Sequence, residues 1–529
     1  MQQDEHPKYV LAIDHGTSGV KSAIVSVYGE VLDFEYEYTP VHFLPRGGTE
    51  QDPLDWWNAL VKTSARLVKK SVVDKADIVA VAVSSTMSST VAVDSRGEPL
   101  MNSLTWMDSR GAPYVKKLVR GFPSVLGYGV PKIIKWIRKT GGGPTLSGKD
   151  DIAHVLYIKN QLPEIYDKTY MFLESKDYLN LRLTGKFAAS YDSTILFWLT
   201  DTRDINNIHY DEELVRISGI DRDKLPPLRP STSILGDISQ DAASAIGLNK
   251  DVRVVMGAAD HEAALVGSGA VRDFDGHIYI GTSSWVECIV PFKKTDVLHS
   301  IASLPAAIPG KYQCINEQDI AGGALNFLVN NILYPRDDLR PDAPPEDIYK
   351  RLDEVASTVP AGSNGLIFTP WLNGERTPVD DGSLRAGLHN ISMGTNLSHI
   401  IRAFMEGVAY NTRWSHGYVE NFISRRMDPI NIIGGGAKSE VWCQIFADVL
   451  NREIRQVKDP VQANARGAAF IASAGLGFIT FDDIPALTRY SGIFTPRREN
   501  RETYDRMFKE FINIYKNNRS MYRRLNGPS

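Results

Sequence analysis

The chain is 529 residues long, with 43% hydrophobic, 9% aromatic and 23% charged residues. This is globular composition at a length that suits two large or about three average domains, and it excludes a disordered, collagen-like or disulfide-stapled chain. Lys+Arg total 59 against 63 Asp+Glu, a net charge of −4, so the basic surplus of a nucleic-acid binder is absent.

The mildly basic end (Lys516, Arg519, Arg523, Arg524) reads as a solvated helix end. Cys288, Cys314 and Cys443 are far apart and form no CxxC or Cys/His cluster. That points to a reducing compartment and away from structural zinc. The acidic, polar residues 1–6 do not read as a signal peptide, and no apolar run approaches the ~18 residues of a membrane span. A cytoplasmic protein with no membrane or nucleic-acid partner is expected.

In chain order, Tyr9-Val10-Leu11-Ala12-Ile13 is a strand that ends at Asp14-His15-Gly16-Thr17-Ser18-Gly19. Ser22 to Val27 is a second strand, and a third begins at Val31, so the start reads as a hairpin. Residues 55–68 have helical spacing. The apolar strand 78–83 stops at Ser84-Ser85-Thr86. Pro131 opens a short helix that Gly141-Gly142-Gly143 ends. Stretches 152–161 and 176–183 look helical. Strand 252–256 leads through Gly257-Ala258-Ala259-Asp260 into an apolar helix.

The pattern then restarts. His277-Ile278-Tyr279-Ile280, the turn Gly281-Thr282-Ser283-Ser284 and strand 285–290 echo the N-terminal unit about half a chain later. Two α/β domains of similar design are therefore expected, 1–270 and 271–529, meeting in a broad contact with a cleft. The second half continues with a helix at 320–331 and a Pro/Asp-rich loop at 335–345. After these come a strand at 365–368, a helix at 397–419, and strand 430–433 running into Gly434-Gly435-Gly436. Helices at 440–451 and 465–474 follow. The charged helical stretch after about residue 500 is expected on the outside.

Glycine-rich turns after strands let the backbone approach a ligand and present N–H groups to phosphate. Asp14, at a strand end before Thr17 and Ser18 and with Lys21 beyond, has the chemistry to hold a hydrated Mg²⁺ beside phosphate oxygens. The plain alternative is a hairpin turn closed by an Asx bond. The sequence has no GxxxxGK[ST] loop, and no GxGxxG follows the first strand, which excludes a P-loop ATPase and disfavours a dinucleotide enzyme.

Several motifs stand in the order seen in the FGGY carbohydrate kinases, which the chain resembles over roughly residues 8–480. They are Asp14 to Lys21, Trp106-Met107-Asp108-Ser109-Arg110, Gly257 to Asp260, Gly281-Thr282-Ser283, Asn373-Gly374-Glu375-Arg376-Thr377-Pro378 and Gly434 to Ser439. The resemblance implies an α/β fold of two ribonuclease-H-like (actin-type ATPase) domains closing around ATP and a sugar. It casts Asp14 as the metal-linked acid and Thr17, Ser18, Gly19 and Lys21 as the first phosphate loop. Gly281 and Thr282 match the second phosphate loop, Gly435 and Ser439 the adenosine site, and Asp260 the catalytic base. Met87, Ser88, Asp108 and His261 fall at expected sugar contacts. Xylulose kinases typically read Gln-Met-His-Gly where this chain has Thr86-Met87-Ser88-Ser89, so only Met87 is kept. Glycerol kinases carry Arg-Glu at Met87-Ser88, which disfavours glycerol.

Asp260 also reads as a plain helix N-cap, Asp108 as a surface turn residue paired with Arg110, and His15 as a loop residue. Trp56, Trp57 and Trp371 read as packing. The expected activity is ATP- and Mg²⁺-dependent phosphorylation of a small-molecule sugar, first a ketopentose such as xylulose, then gluconate or a polyol. An actin-like ATPase and a non-catalytic sugar sensor are the rivals, and a homodimer stays open.

Overall fold

The computed structural model describes residues 7–335 and 343–527. The reading of residues 1–6, and positions 336–342 of the Pro/Asp-rich loop, lie outside the described residues.

The first half is built on a six-stranded sheet. Its strands are β1 (Tyr9–Gly16), β2 (Gly19–Ser26), β3 (Val31–Tyr38), β4 (Ile78–Ser85), β5 (Ile234–Asp237) and β6 (Arg253–Ala259), in the order β5-β6-β4-β1-β2-β3. The second half holds β7 (Gly276–Ile280), β8 (Ser284–Val290), β9 (Thr295–Asp296), β10 (Ile301–Pro305), β11 (Tyr312–Ile315), β12 (Glu317–Gln318), β13 (Ile430–Ile433), β14 (Ile454–Val457) and β15 (Tyr490–Phe494). These run β9-β10-β11-β8-β7-β13-β14-β15, and β12 pairs β8.

The two sheets share a topology. β1 pairs β2 antiparallel and β4 parallel, β4 pairs β6 parallel, and β6 pairs β5 antiparallel. β7 likewise pairs β8 antiparallel and β13 parallel, β13 pairs β14 parallel, and β14 pairs β15 antiparallel. The short sequence echo is thus one turn of a duplicated architecture.

Both faces of the first sheet are covered, which is why β1 reads as a continuous apolar run rather than an alternating one. Leu11 and Ile13 pack with Trp56 and Leu60 of helix α1 (Pro53–Lys70). Val10 and Ala12 pack instead with Ala465, Ala468, Ala469 and Ala472. Those alanines come from the second half of the chain.

Further helices include α2 (Asp260–Ser268), α3 (Leu397–Ile423), α4 (Glu440–Leu450), α5 (Ala463–Gly475) and α6 (Arg501–Asn526). Helix α5 lies on β1, β2, β4 and β6 and crosses α2. Its small side chains let it sit close against Ala12, Ala23, Ala80 and Ala82. Arg466 ties the crossing together by donating to the carbonyls of Gly29, Gly267 and Lys458.

Helix α6 packs on the outside of the second half, as expected. It is charged, yet Tyr504, Met507, Phe511 and Tyr522 on one face are buried in the second core. The periodic aromatic stripe outweighs the charge of the other face. Among the described residues no helix is long and apolar enough to cross a membrane.

Candidate active site

The first glycine turn closes the β1–β2 hairpin, with Gly16 opposite Gly19. A Cβ on Gly19 would lie 2.3 Å from the Glu37 carbonyl oxygen, so the strand packing itself requires glycine there. Ser18 is exposed at the tip, and Thr17 beside it is partly buried. The Thr17 hydroxyl accepts the indole N–H of Trp106 at 2.9 Å, which leaves its own proton free to donate.

Asp14 is partly buried, with long contacts to Lys21 Nζ and Asn464 Nδ2, each 3.4 Å. Lys21 also donates to the Val461 carbonyl at 3.0 Å. Val461 lies in the short turn just before α5 and Asn464 in its first turn, so this loop sits on the seam between the two halves. His15 departs from its expectation. It is fully buried in β1 and tilted against Trp56 at 4.6 Å, and burial lowers its pKa to about 3. It is a core histidine. Trp56 and Trp371 are also buried, as packing residues would be.

The second turn, Gly281-Thr282-Ser283, joins β7 to β8. The N–H groups of Ala321 and Gly323 donate to the Thr282 carbonyl, and that of Gly322 to the Gly281 carbonyl. The Thr282 side chain is exposed. The third turn follows β13. Gly434 has φ +93, and a Cβ on it would stand 2.5 Å from the Ile280 carbonyl oxygen; one on Gly436 would stand 2.3 Å from the Ile280 side chain. Gly435 differs, because a Cβ there meets nothing within 4 Å. Packing dictates the outer two glycines, while the middle one faces open space. Ser439 caps α4, accepting from Trp442 N at 2.9 Å and donating to Asp353 at 2.7 Å. Its hydroxyl is therefore already engaged.

Asp260 is the first residue of α2, just past the end of β6. Its Oδ1 accepts from the N–H of His261 at 3.0 Å. Burial raises its pKa, as do the charges of Asp14 and Glu317. The neighbouring His261 charge pulls the other way, and the result is about 6. Asp14 belongs to the first lobe and Glu317 to the second, so both halves of the chain set the field at this carboxylate.

The expected sugar contacts are less open than the sequence suggested. Asp108 is fully buried rather than in a surface turn. Its carboxylate accepts from Thr49 N at 2.9 Å and from Arg110 N, Nε and Nη2 at 2.6 to 3.2 Å. The Arg110 pairing is thus present, but it is internal and leaves the carboxylate occupied. Ser88 has φ +56 and donates its hydroxyl to the Lys149 carbonyl at 2.7 Å. Met87 is partly buried beside a core cluster. His261 Nδ1 bonds Glu287 at 2.6 Å.

Sequence reasoning missed several residues. Glu174 is buried and accepts the N–H groups of Ser88 and Ser89 at 3.0 and 2.9 Å, which pins the turn at the end of β4. Arg376 pairs with Glu317 and, at 2.7 Å, with Asp319, and lies 5.9 Å above the Trp106 ring of the other lobe. Lys149 is exposed as a residue and pairs with no described residue; partial desolvation of its ammonium and the charge of Arg376 lower its pKa, against Asp319 and Glu317. Glu287 carried a readable signal, a lone charge inside an apolar strand.

Two duplicated lobes with three glycine turns along one seam match one family over nearly the whole fold. The N-terminal domain of the FGGY family of carbohydrate kinases matches residues 9–267, and its C-terminal domain matches 276–476. The chain belongs to the FGGY family. It is an ATP-dependent sugar kinase. Among its relatives is a xylulose kinase of Staphylococcus epidermidis, 28% identical and covering 97% of each chain. A gluconokinase of Bacillus subtilis is 26% identical over 96% of this chain and 95% of its own. The crystal structure of a xylulose kinase from Rhodospirillum rubrum superposes with a TM-score of 0.81 at 25% identity, covering 97% of this chain and 100% of that one.

Proposed function

We propose that the protein transfers the γ-phosphate of ATP to a hydroxyl of a ketopentose such as xylulose, with residues 1–270 and 271–529 as its two lobes. Asp260 is the base that takes the hydroxyl proton. The observation carrying this reading is its carboxylate at the β6–α2 junction, partly desolvated yet ionised above about pH 6. A base with a pKa near the working pH combines proton affinity with the correct charge state. Phosphoryl transfer otherwise needs alignment and charge neutralisation more than covalent chemistry. Thr17, Ser18, Gly19 and Lys21 align the phosphates from one lobe, and Gly281 and Thr282 from the other. Gly435 leaves room for the nucleoside. Ser439 shapes that site through its cap, and Asp108 shapes the sugar side by holding Arg110 against Glu50. Met87, Ser88 and His261 border the acceptor.

Asp14 suits a hydrated Mg²⁺. Its protein contacts are long, and no group of three or more His, Cys, Asp or Glu among the described residues forms a cage. That matches an ion that keeps waters and binds chiefly through phosphate. When bound, it supplies charge neutralisation on the phosphates. The setting proposed is cytoplasmic, consistent with three cysteines that are free and buried.

A second reading, gluconate, is favoured by Lys149. Its ammonium has no hydrogen-bond or ion-pair partner among the described residues, with Arg376, Asp319 and Glu317 acting on it from across the seam, and an acceptor carrying a carboxylate would supply that partner. ADP release over a panel of pentuloses, aldonates and polyols tests both readings. Sugar-independent turnover would sink the kinase assignment. Gluconate outpacing xylulose, with the preference lost in Lys149→Gln, would select the second reading.

A further inference from the structure

Glu287 is the one charged residue in the apolar strand Trp285-Val286-Glu287-Cys288-Ile289-Val290, and β8 buries it completely. A buried carboxylate is costly without partners. Its Oε1 accepts from Nδ1 of His261 at 2.6 Å, and its Oε2 from Nε2 of Gln313 at 2.8 Å. His277 Nε2 lies 3.9 Å from the same carboxylate but accepts the indole N–H of Trp285 at 3.1 Å. His277 is therefore neutral, with its pKa lowered by burial to about 3.

The counter-charge falls to His261. Burial opposes its proton, but Glu287, with Asp260 and Glu317 beyond, outweighs burial and raises its pKa to about 10. The neighbouring Glu262 is buried with neither oxygen hydrogen-bonded, and burial raises its pKa well above the usual carboxylate range. The charges that act on Asp260 are those of His261, Asp14 and Glu317.

The same pair bridges the lobes. His261 rides on the first turn of α2 beside the base, whereas Glu287 and Trp285 belong to the strand leaving the second phosphate turn. The His261 ring stacks on Trp285 at 4.2 Å, and Trp285 stacks on Tyr279 at 3.9 Å. One ion pair and one ring stack therefore fix the helix that carries Asp260 against the hairpin that carries Gly281 and Thr282.

We propose that Glu287 is a positioning residue for phosphoryl transfer: by holding a charged His261 against the second phosphate hairpin it keeps Asp260 ionised and sets the base in register with the phosphate. The proposal rests on the reading of Asp260 as the base. The sign follows from charge. Without Glu287, His261 loses its proton more readily, its positive charge leaves the side of Asp260, and the Asp260 carboxylate holds its own proton to higher pH.

The test is kcat/KM between roughly pH 5 and 9, read by ADP release on the sugar that the wild type turns over best. Glu287→Gln is expected to move the acid limb up by about one pH unit, which is roughly a fivefold loss at pH 6 that nearly vanishes at pH 8. His261→Gln should move the limb similarly, and adding Glu287→Gln to it should move the limb no further. A uniform loss with the limb in place, or a further shift in the double variant, overturns the proposal. If Glu287→Gln does not fold by thermal melting, His261→Gln decides, and an unmoved limb overturns it. Asp260→Asn separates the two layers. Retained turnover there removes the base itself, whereas an inactive Asp260→Asn with unmoved limbs in the other variants removes only the role of Glu287.

Discussion

Gly267 and Gly467 face each other where α2 crosses α5. A Cβ on Gly467 would stand 1.8 Å from the carbonyl oxygen of Ala263, and one on Gly267 1.8 Å from that of Ala463. Backbone thus meets backbone at the point where the helix bearing Asp260 touches the helix contributed by the second half of the chain. Neither glycine needs an unusual dihedral; the requirement is close approach.

Gly467→Ala should therefore be costly although it adds a single methyl. The clash is with backbone, which cannot rotate away as a side chain would. A loss of at least about 3 kcal/mol is expected, toward the upper end for overpacked sites, read as a lower midpoint in urea unfolding. An unchanged midpoint would mean that the helices separate without cost.

Asp260→Asn should lower kcat by at least ~10²-fold, since the amide cannot accept the hydroxyl proton. With Asp260 as the proposed base, the ionised carboxylate is the active form. Its pKa is raised to about 6, so kcat/KM should be level above that pH and fall about tenfold per unit below it. The pH–rate profile reads this directly. A profile flat down to about pH 4, the ordinary carboxylate range, would contradict it.

The three neighbouring glycines at the end of β13 should behave differently. Gly434→Ala places a side chain at φ +93 against the Ile280 carbonyl, which strains the fold, and should lower the melting temperature. Gly435→Val adds atoms where the protein leaves space. It should melt within a degree or two of the wild type, with a KM for ATP raised roughly tenfold, the equivalent of about 1.4 kcal/mol of lost binding. Equal ATP affinity in Gly435→Val would remove this turn from the nucleotide site.

Asp108→Ala should cost about 3 kcal/mol in urea unfolding, because it leaves Arg110 partly buried with only Glu50 to pair. Its effect on sugar KM should follow from a disturbed Arg110 and Thr49 rather than from a lost direct contact. Arg110→Ala should then raise KM by a comparable factor. A large KM change in the Asp108 variant alone would restore Asp108 as a direct ligand.

Much of the architecture was readable from local pattern. Apolar runs ending in Asp14, Ser84 and Asp260, and the three glycine turns, mark the strand ends to which the proposed chemistry is assigned, because hydrophobic period and glycine placement are properties of neighbouring residues. The repeated strand–Gly-Thr-Ser–strand unit likewise announced two similar lobes. Partners lay beyond such reading. The sequence shows that Glu287 carries charge and pairs Asp108 with its neighbour Arg110; only the folded chain shows that His261 answers Glu287, that the Asp108–Arg110 pair is internal, or that Trp106 holds the Thr17 hydroxyl. Nor does an alanine-rich helix at 463–475 reveal that it lies on the sheet of the opposite lobe. A buried charge or a flat helix face states a need in sequence. Which distant group meets that need is fixed by packing, since His261 and Glu287, Thr17 and Trp106, and the 463–475 helix and the first sheet are separated by tens to hundreds of positions and come together only when the sheets close.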